Sequence, residues 1–365
     1  MPSLSKRIFS LALTAGLLAA LLSGCASKTA QVEEKPFQPK YRTIGHQMLA
    51  MEKDLGAKES ELRRLDAVIG RAVMVIDRKV SYGPKEAASV LETIHIIVKE
   101  SYTYRPQRLL HQGLKANQLD CDLFVALYLS IAEVVKLPIQ AVVAPLHTFV
   151  RWRLDGGGHL NWETTNGSET ADQYYLSGSY LEGNQHFYRP NFDLTPGIES
   201  GAYLRGLTNL EFLAIPHINL AARYLELYQA LPADRPRPRL NLEKALKHLQ
   251  TAVSLDAKRP EAHHGLGIIL NLLDRRREAL ASMDRAVSLF SQDPGYHFDR
   301  GMLWLAEGNL GRAAEDLSQA YRLNPGHKKA AFALAALYRR KGDLSESENW
   351  WKKAVAPPPV SEGAK

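Results

Sequence analysis

Apolar and polar positions along the chain change period several times, and each change predicts a change of element. From Tyr41 to about Tyr104 apolar residues recur at spacings of three and four. The segments 59–76 and 84–100 carry this pattern most clearly, which predicts helices there. Residues 121–135, CDLFVALYLSIAEVV, are apolar almost throughout and predict a buried helix. Two strand-like runs follow, Ile139–Val143 and His147–Leu154. Asp155-Gly156-Gly157-Gly158 then supplies a turn, and His159–Thr165 returns as the second arm of a hairpin. Residues 166–205, rich in Gly, Asn, Ser and Tyr, predict irregular structure crossing a surface. From Leu207 the helical period resumes.

Within that last region the chain repeats itself. Gly267, Gly301 and Ala335 lie 34 residues apart, as do Ala279, Ala313 and Ser347, and Ala286, Ala320 and Ala354. Large residues share the register: Leu270, Trp304 and Tyr338, then Met283, Leu317 and Trp351. Small residues let two helices cross closely, and large ones fill the space between them. This pattern resembles the tetratricopeptide repeat, which implies an all-α solenoid with a groove for a protein or peptide partner. Pro325 and Pro359 stand where a repeat ends, while Ser291 and Arg300 depart from the pattern. Ala245 and Ala252 mark a partial earlier unit, whose first helix is expected to be interrupted by Pro232, Pro236 and Pro238.

The first residues follow a different logic. Lys6 and Arg7 precede an apolar run from Ile8 to Leu22, followed by Ser23 and Gly24. That is the layout of a secretory signal, too short for a comfortable membrane span. Leu22-Ser23-Gly24-Cys25 resembles the lipobox of bacterial lipoproteins. The resemblance implies cleavage before Cys25 and acylation of its sulfur and amino group. Ala26 after the cysteine implies the outer membrane of a Gram-negative cell, periplasm-facing. A plain secretory signal cleaved near Ala26 is the alternative. Residues 26–40 are polar, contain Pro36 and Pro39, and read as a tether.

The chain has two cysteines, so once Cys25 is acylated Cys121 has no partner within it. Asp120 is a good N-cap, which places Cys121 in a first helical turn where unpaired N–H groups and the helix dipole favour a thiolate. Asp120 and Asp122 oppose that effect, so a positive partner is needed. His147, at the head of a strand, is the candidate base. Glu163 on the returning strand is the candidate orienter, and Asn166 is a second one. The order resembles the transglutaminase-like superfamily of papain-type cysteine enzymes over roughly Ile94 to Thr165. The matching pieces are Tyr102-Thr103-Tyr104, Leu119-Asp120-Cys121-Asp122-Leu123-Phe124, Lys136-Leu137-Pro138-Ile139, His147-Thr148-Phe149-Val150 and Trp162-Glu163-Thr164-Thr165. Asp120 replaces the family's usual Gly, Glu163 its usual Asp, and the Cys121–His147 separation of 26 residues is short. The resemblance implies a Cys121–His147–Glu163 triad acting on an amide. A bacterial group that joins such a domain to tetratricopeptide repeats does not always keep the cysteine.

Composition narrows the rest. The formal charge of +7 falls to +5 without Lys6 and Arg7, and no basic run is present, which argues against nucleic acid. There is no HExxH, CxxC or Gly-rich phosphate loop, so neither a metal nor another cofactor is expected. His159 sits beside the glycine turn and is expected to be exposed. Tyr174, Tyr175 and Tyr180 suit either a substrate cleft or packing. The resulting expectation is an α+β chain: a signal peptide over 1–24, a tether over 25–40, and a transglutaminase-like domain over 41–205 with helices and a small antiparallel sheet. A tetratricopeptide solenoid over 206–356 and a tail over 357–365 complete it. The expected function is an envelope-anchored cysteine hydrolase or acyltransferase, a protease or amidase before a cross-linker. The alternative is an inactive adaptor for envelope protein interactions.

Overall fold

The computed structural model describes residues 37–79, 81–176, 179–182, 185–188, 193–230 and 239–356. Cys25, the expected signal segment, Pro359 and the tail lie outside them, as do Pro232, Pro236 and Pro238. Three helices open the described chain: α1 (Ile44–Met51), α2 (Glu59–Val75) and α3 (Pro84–Lys99). A short strand β1 (Thr103–Tyr104) and helix α4 (Leu110–Ala116) follow, then β2 (Gln118–Leu119), which pairs in parallel with β1.

Helix α5 (Cys121–Val135) is the axis of this half. The Asp120 carboxylate caps it by accepting from Leu123 N at 3.1 Å, and Lys136 ends it with a φ of 65°. Leu123, Phe124, Leu127 and Ile131 are fully buried, each contributing about 2 kcal/mol of apolar burial. The helix packs against α1, α2 and α3 on one side and the sheet on the other.

The sheet is built from β3 (Ile139–Ala144), β4 (His147–Arg153), β5 (His159–Glu163) and β6 (Ser168–Thr170). Helix α6 (Asp172–Leu176), the hairpin of β7 (Ser179–Glu182) and β8 (Gln185–Tyr188), helix α7 (Thr195–Glu199) and strand β9 (Gly206–Leu207) come next. The five-stranded sheet runs β6-β5-β4-β3-β9, antiparallel throughout. The described residues of the segment 166–205, expected to be irregular, therefore include three strands and two short helices. Its Gly and Asn residues punctuate brief elements instead of abolishing them. The expected boundary at 205/206 falls beside β9, which adds residues beyond it to the sheet.

Helices α8 (Asn209–Phe212), α9 (Ala214–Gln229), α10 (Arg239–Leu255), α11 (Pro260–Leu272), α12 (Arg276–Leu289), α13 (Pro294–Ala306), α14 (Leu310–Leu323), α15 (Lys328–Arg340) and α16 (Leu344–Val355) complete the described chain. From α9 onward they pack as pairs, α9 with α10 through α15 with α16. The small-residue register has a direct steric cause. A Cβ on Gly267 would lie 2.8 Å from Met283, and one on Gly301 would lie 3.0 Å from Leu317. Ser347, at the third copy of the alanine position, donates from Oγ to the Ala335 carbonyl at 2.9 Å. Arg300 is no defect either: it reaches both Asp316 oxygens, at 2.7 and 2.8 Å, and Asp284 at 2.9 Å, tying α13 to its neighbours. Ahead of the partial unit at Ala245 and Ala252, α9 packs on α10 and ends at Gln229, and the three prolines lie outside the described residues.

Residues from Pro39 onward form one unit. Its largest core joins α5 and the sheet to Ala286, Phe290 and Tyr296 of the solenoid. The Tyr203 and Phe290 rings meet edge to face at 5.0 Å, and Ser200 Oγ donates to the Leu289 carbonyl at 2.6 Å.

Candidate functional site

Cys121 is the first residue of α5 and 7% exposed. The two-residue turn between β3 and β4, Pro145-Leu146, brings His147 to the same place. Leu146 adopts a φ of 60°, a left-handed conformation costly for a side chain with a Cβ, and it stands 57% exposed at the rim. Cys121, His147 and Leu146 line one pocket of about 270 Å³ with Tyr104, Asp122 and Thr148.

Strand alternation puts His147, Phe149 and Arg151 on one face of β4, beside Asn161 and Glu163 of β5. His147 Nε2 meets Glu163 Oε2 at 2.8 Å, and both side chains are buried. Tyr175 donates its hydroxyl to the other oxygen of Glu163, and its ring stacks on Phe149 at 4.1 Å. Burial and the adjacent Glu163 charge push the Tyr175 hydroxyl far above the usual phenol range, so it stays a donor. Of the two candidate orienters, Glu163 holds the imidazole. Asn166 is exposed and accepts from Ser168 Oγ at 2.8 Å. His159 lies at the edge of the sheet, 3.1 Å from Asp172.

The acids flanking Cys121 differ in kind. Asp120 is spent on the helix cap. Burial raises the Asp122 carboxyl above its usual range, against hydrogen bonds from Thr148 and Asn219 and the charges of His147 and Arg259. Thr148 Oγ1 donates to Asp122 Oδ1 at 2.5 Å, and the Cys121 sulfur lies 4.0 Å from the same oxygen. A carboxyl kept closer to neutral opposes a thiolate less than the sequence suggests.

The solenoid supplies the other wall. Ile215, Ile218 and Asn219, at i, i+3 and i+4 of α9, present one helix face to the pocket. Arg259, just before α11, and Glu261 in its first turn line the pocket as well. Sequence reasoning missed Tyr175 as a holder of Glu163, and it missed Arg259 altogether. A lone tyrosine and a lone arginine carry no motif; only packing brings them here. Further along, Ile268, Leu272, Asp299, Met302 and Leu303 surround a hollow of about 340 Å³ between α11, α12 and α13.

Comparison with known proteins bears on the solenoid. The tetratricopeptide repeat family model matches residues 305–360. The chain is 28% identical over 111 residues to TPR repeat-containing protein MJ1428 of Methanocaldococcus jannaschii, covering 30% of this chain and 19% of that protein. It is 40% identical over 72 residues to the TPR repeat-containing thioredoxin TTL4 of Arabidopsis thaliana, covering 20% and 10%. The chain thus spans a fifth or less of these relatives. Among solved structures, a crystal structure of MamA matches with 22% identity and a TM-score of 0.35, over 40% of this chain and 77% of that one. The Pseudomonas aeruginosa protein pilF matches with 17% identity and 0.35, over 40% and 62%. The carboxy-terminal helices are tetratricopeptide repeats, a class of protein-binding module.

Proposed function

We propose that the protein is first an adaptor, in which the repeats bind a polypeptide at the cell envelope. The observation that supports this is the 34-residue register, carried by helix pairs that leave an apolar hollow around Met302. The Leu-Ser-Gly-Cys motif supports an outer-membrane lipoprotein anchored through Cys25 and facing the periplasm. A photo-crosslinking residue at Met302 is expected to capture a defined polypeptide in cells, equally well in the Cys121→Ala variant. Absence of any adduct there overturns the adaptor reading.

A second reading rests on one further observation, the buried 2.8 Å contact between His147 and Glu163 in the pocket that holds Cys121. It makes residues 41–205 a transglutaminase-like domain that hydrolyses or transfers an acyl group from an amide. With Nε2 committed to Glu163, the base is Nδ1. The Cys121 sulfur bonds to the carbonyl carbon as its proton passes to His147. The C–N bond then breaks, and His147 returns the proton to the leaving amine. Water attacks the thioester, the C–S bond breaks, and a carboxylic acid and the thiol are released. Backbone N–H groups at the start of α5 face the developing oxyanion.

A thiol probe tests this reading. Cys121 is expected to label rapidly well below the ordinary thiol pKa of about 8.5, and His147→Ala to abolish that advantage. Labelling that follows an ordinary thiol profile in both proteins leaves the adaptor reading alone.

A further inference from the structure

Arg259 is a buried guanidinium in an unusual position. It is the residue just before a solenoid helix, yet it lines the pocket of Cys121 and His147. It is 2% exposed. Its Nη2 bonds to Asp256 Oδ2 at 3.1 Å, and Asp256 also accepts from Arg205 at 2.5 Å. Its Nε and Nη1 are buried and have no hydrogen-bond partner among the described residues. Glu261 repeats the pattern with the opposite polarity. Its Oε1 accepts from the Tyr203 hydroxyl at 2.6 Å, while its buried Oε2 has no hydrogen-bond partner and lies 4.0 Å from Arg259 Nη1. Native proteins seldom leave buried donors and acceptors unmade, because each costs about 1–3 kcal/mol.

We infer that Arg259 and Glu261 form a subsite for an amide group of a polypeptide, placed by the repeats beside the thiol; this rests on the thiol reading above. The chemistry selects the ligand. An unmade pair of donors beside an unmade acceptor matches a primary carboxamide, or the carbonyl and N–H that one residue of an extended main chain turns to the same side. Charge selects against a carboxylate. Arg205 and Arg259 face Asp256, Glu211 and Glu261, so the cluster has no positive charge to spare. An ammonium group has no acceptor to offer the unmade Nε and Nη1 donors of Arg259. The amide comes from the main chain or from a side-chain carboxamide, and the two are separable. In either case the solenoid does more than recruit: it contributes a positioning residue pair to the site.

The full chain is treated with acetyl-Ala-Ala-Ala chloromethyl ketone, in which the Cys121 sulfur displaces chloride. Methyl methanethiosulfonate, which contains no amide, serves as the control. The peptide probe is expected to saturate, and Arg259→Lys and Arg259→Met to weaken its half-saturation concentration about tenfold or more, the worth of one charged hydrogen bond. In Arg259→Lys, which keeps a positive charge near Asp122, the control rate is expected to fall by a much smaller factor than the half-saturation concentration of the peptide probe rises. An ester replacing one link of the probe is expected to weaken it similarly in the natural protein but not in Glu261→Met, which identifies main-chain amide. If only a probe bearing a glutamine side chain saturates, and loses that in the Arg259 variants, the carboxamide is the source. Unchanged saturation in folded Arg259 variants, or equal losses for peptide and control, overturns the subsite. Should the control show an ordinary thiol, binding of acetyl-Ala-Ala-Ala amide to the Cys121→Ala protein still decides. Binding that Arg259→Met weakens tenfold sustains the subsite without the chemistry, and no binding ends it.

Discussion

At the scale of single residues, the site depends on how much each polar group is held. Glu163 is bound on both oxygens, by His147 and Tyr175, so it has little freedom to rotate away. Glu163→Gln removes the carboxylate charge beside His147 while keeping the shape, and so tests the thiol reading proposed above. Labelling of Cys121 at pH 7 is expected to slow about tenfold or more in that variant, with the protein still folded by circular dichroism. Tyr175→Phe leaves the carboxylate in place and is expected to have a smaller effect in the same assay. The placement of Cys121 at a helix start and of His147 and Glu163 on two adjacent strands was legible, because capping and turn chemistry are local. The choice of Glu163 over Asn166 was not legible, since register is set by pairing across the sheet.

At the scale of elements, the helical repeats follow closely from sequence. Gly267 and Gly301 mark crossings where a side chain has no room, so the spacing itself reports contact. The pair α9 and α10 adds a feature that spacing did not reveal. His217 Nδ1 and His248 Nδ1 lie 2.8 Å apart, and Tyr224 stacks on His248. Burial first, and then the nearby charges of His217, Lys247 and Lys244, push His248 down to about 4. A histidine with a lowered folded pKa contributes stability that is present above its unfolded value near 6.5 and is lost as pH falls toward 4. His248→Gln, which cannot protonate, is therefore expected to lose less stability than the natural protein between pH 6.5 and 4. The difference is about 1–2 kcal/mol, since the pair is only partly buried, and is read from denaturant midpoints.

At the scale of the whole molecule, the two regions expected from sequence share a core. Phe290 of the solenoid packs on Tyr203, and Arg259 and Ile215 wall the pocket of Cys121. Phe290→Ala is expected to cost about 3–5 kcal/mol and to lower the unfolding midpoint of both regions together. Tryptophan fluorescence is a suitable report on it, since Trp152 and Trp162 lie in the amino-terminal half and Trp304 and Trp350 in the repeats. If Trp152 and Trp162 keep their midpoint while the repeats melt early, the shared core is not cooperative. The sequence by itself determined the repeats, the helix that begins at Cys121 and the hairpin that carries His147 and Glu163, because period, capping and turn chemistry are local. Tertiary structure decided that the solenoid closes onto the thiol pocket and that Arg259 belongs to it. Those residues are far apart in the chain, Arg259 138 positions from Cys121 and Ile215 94, and no local pattern records them.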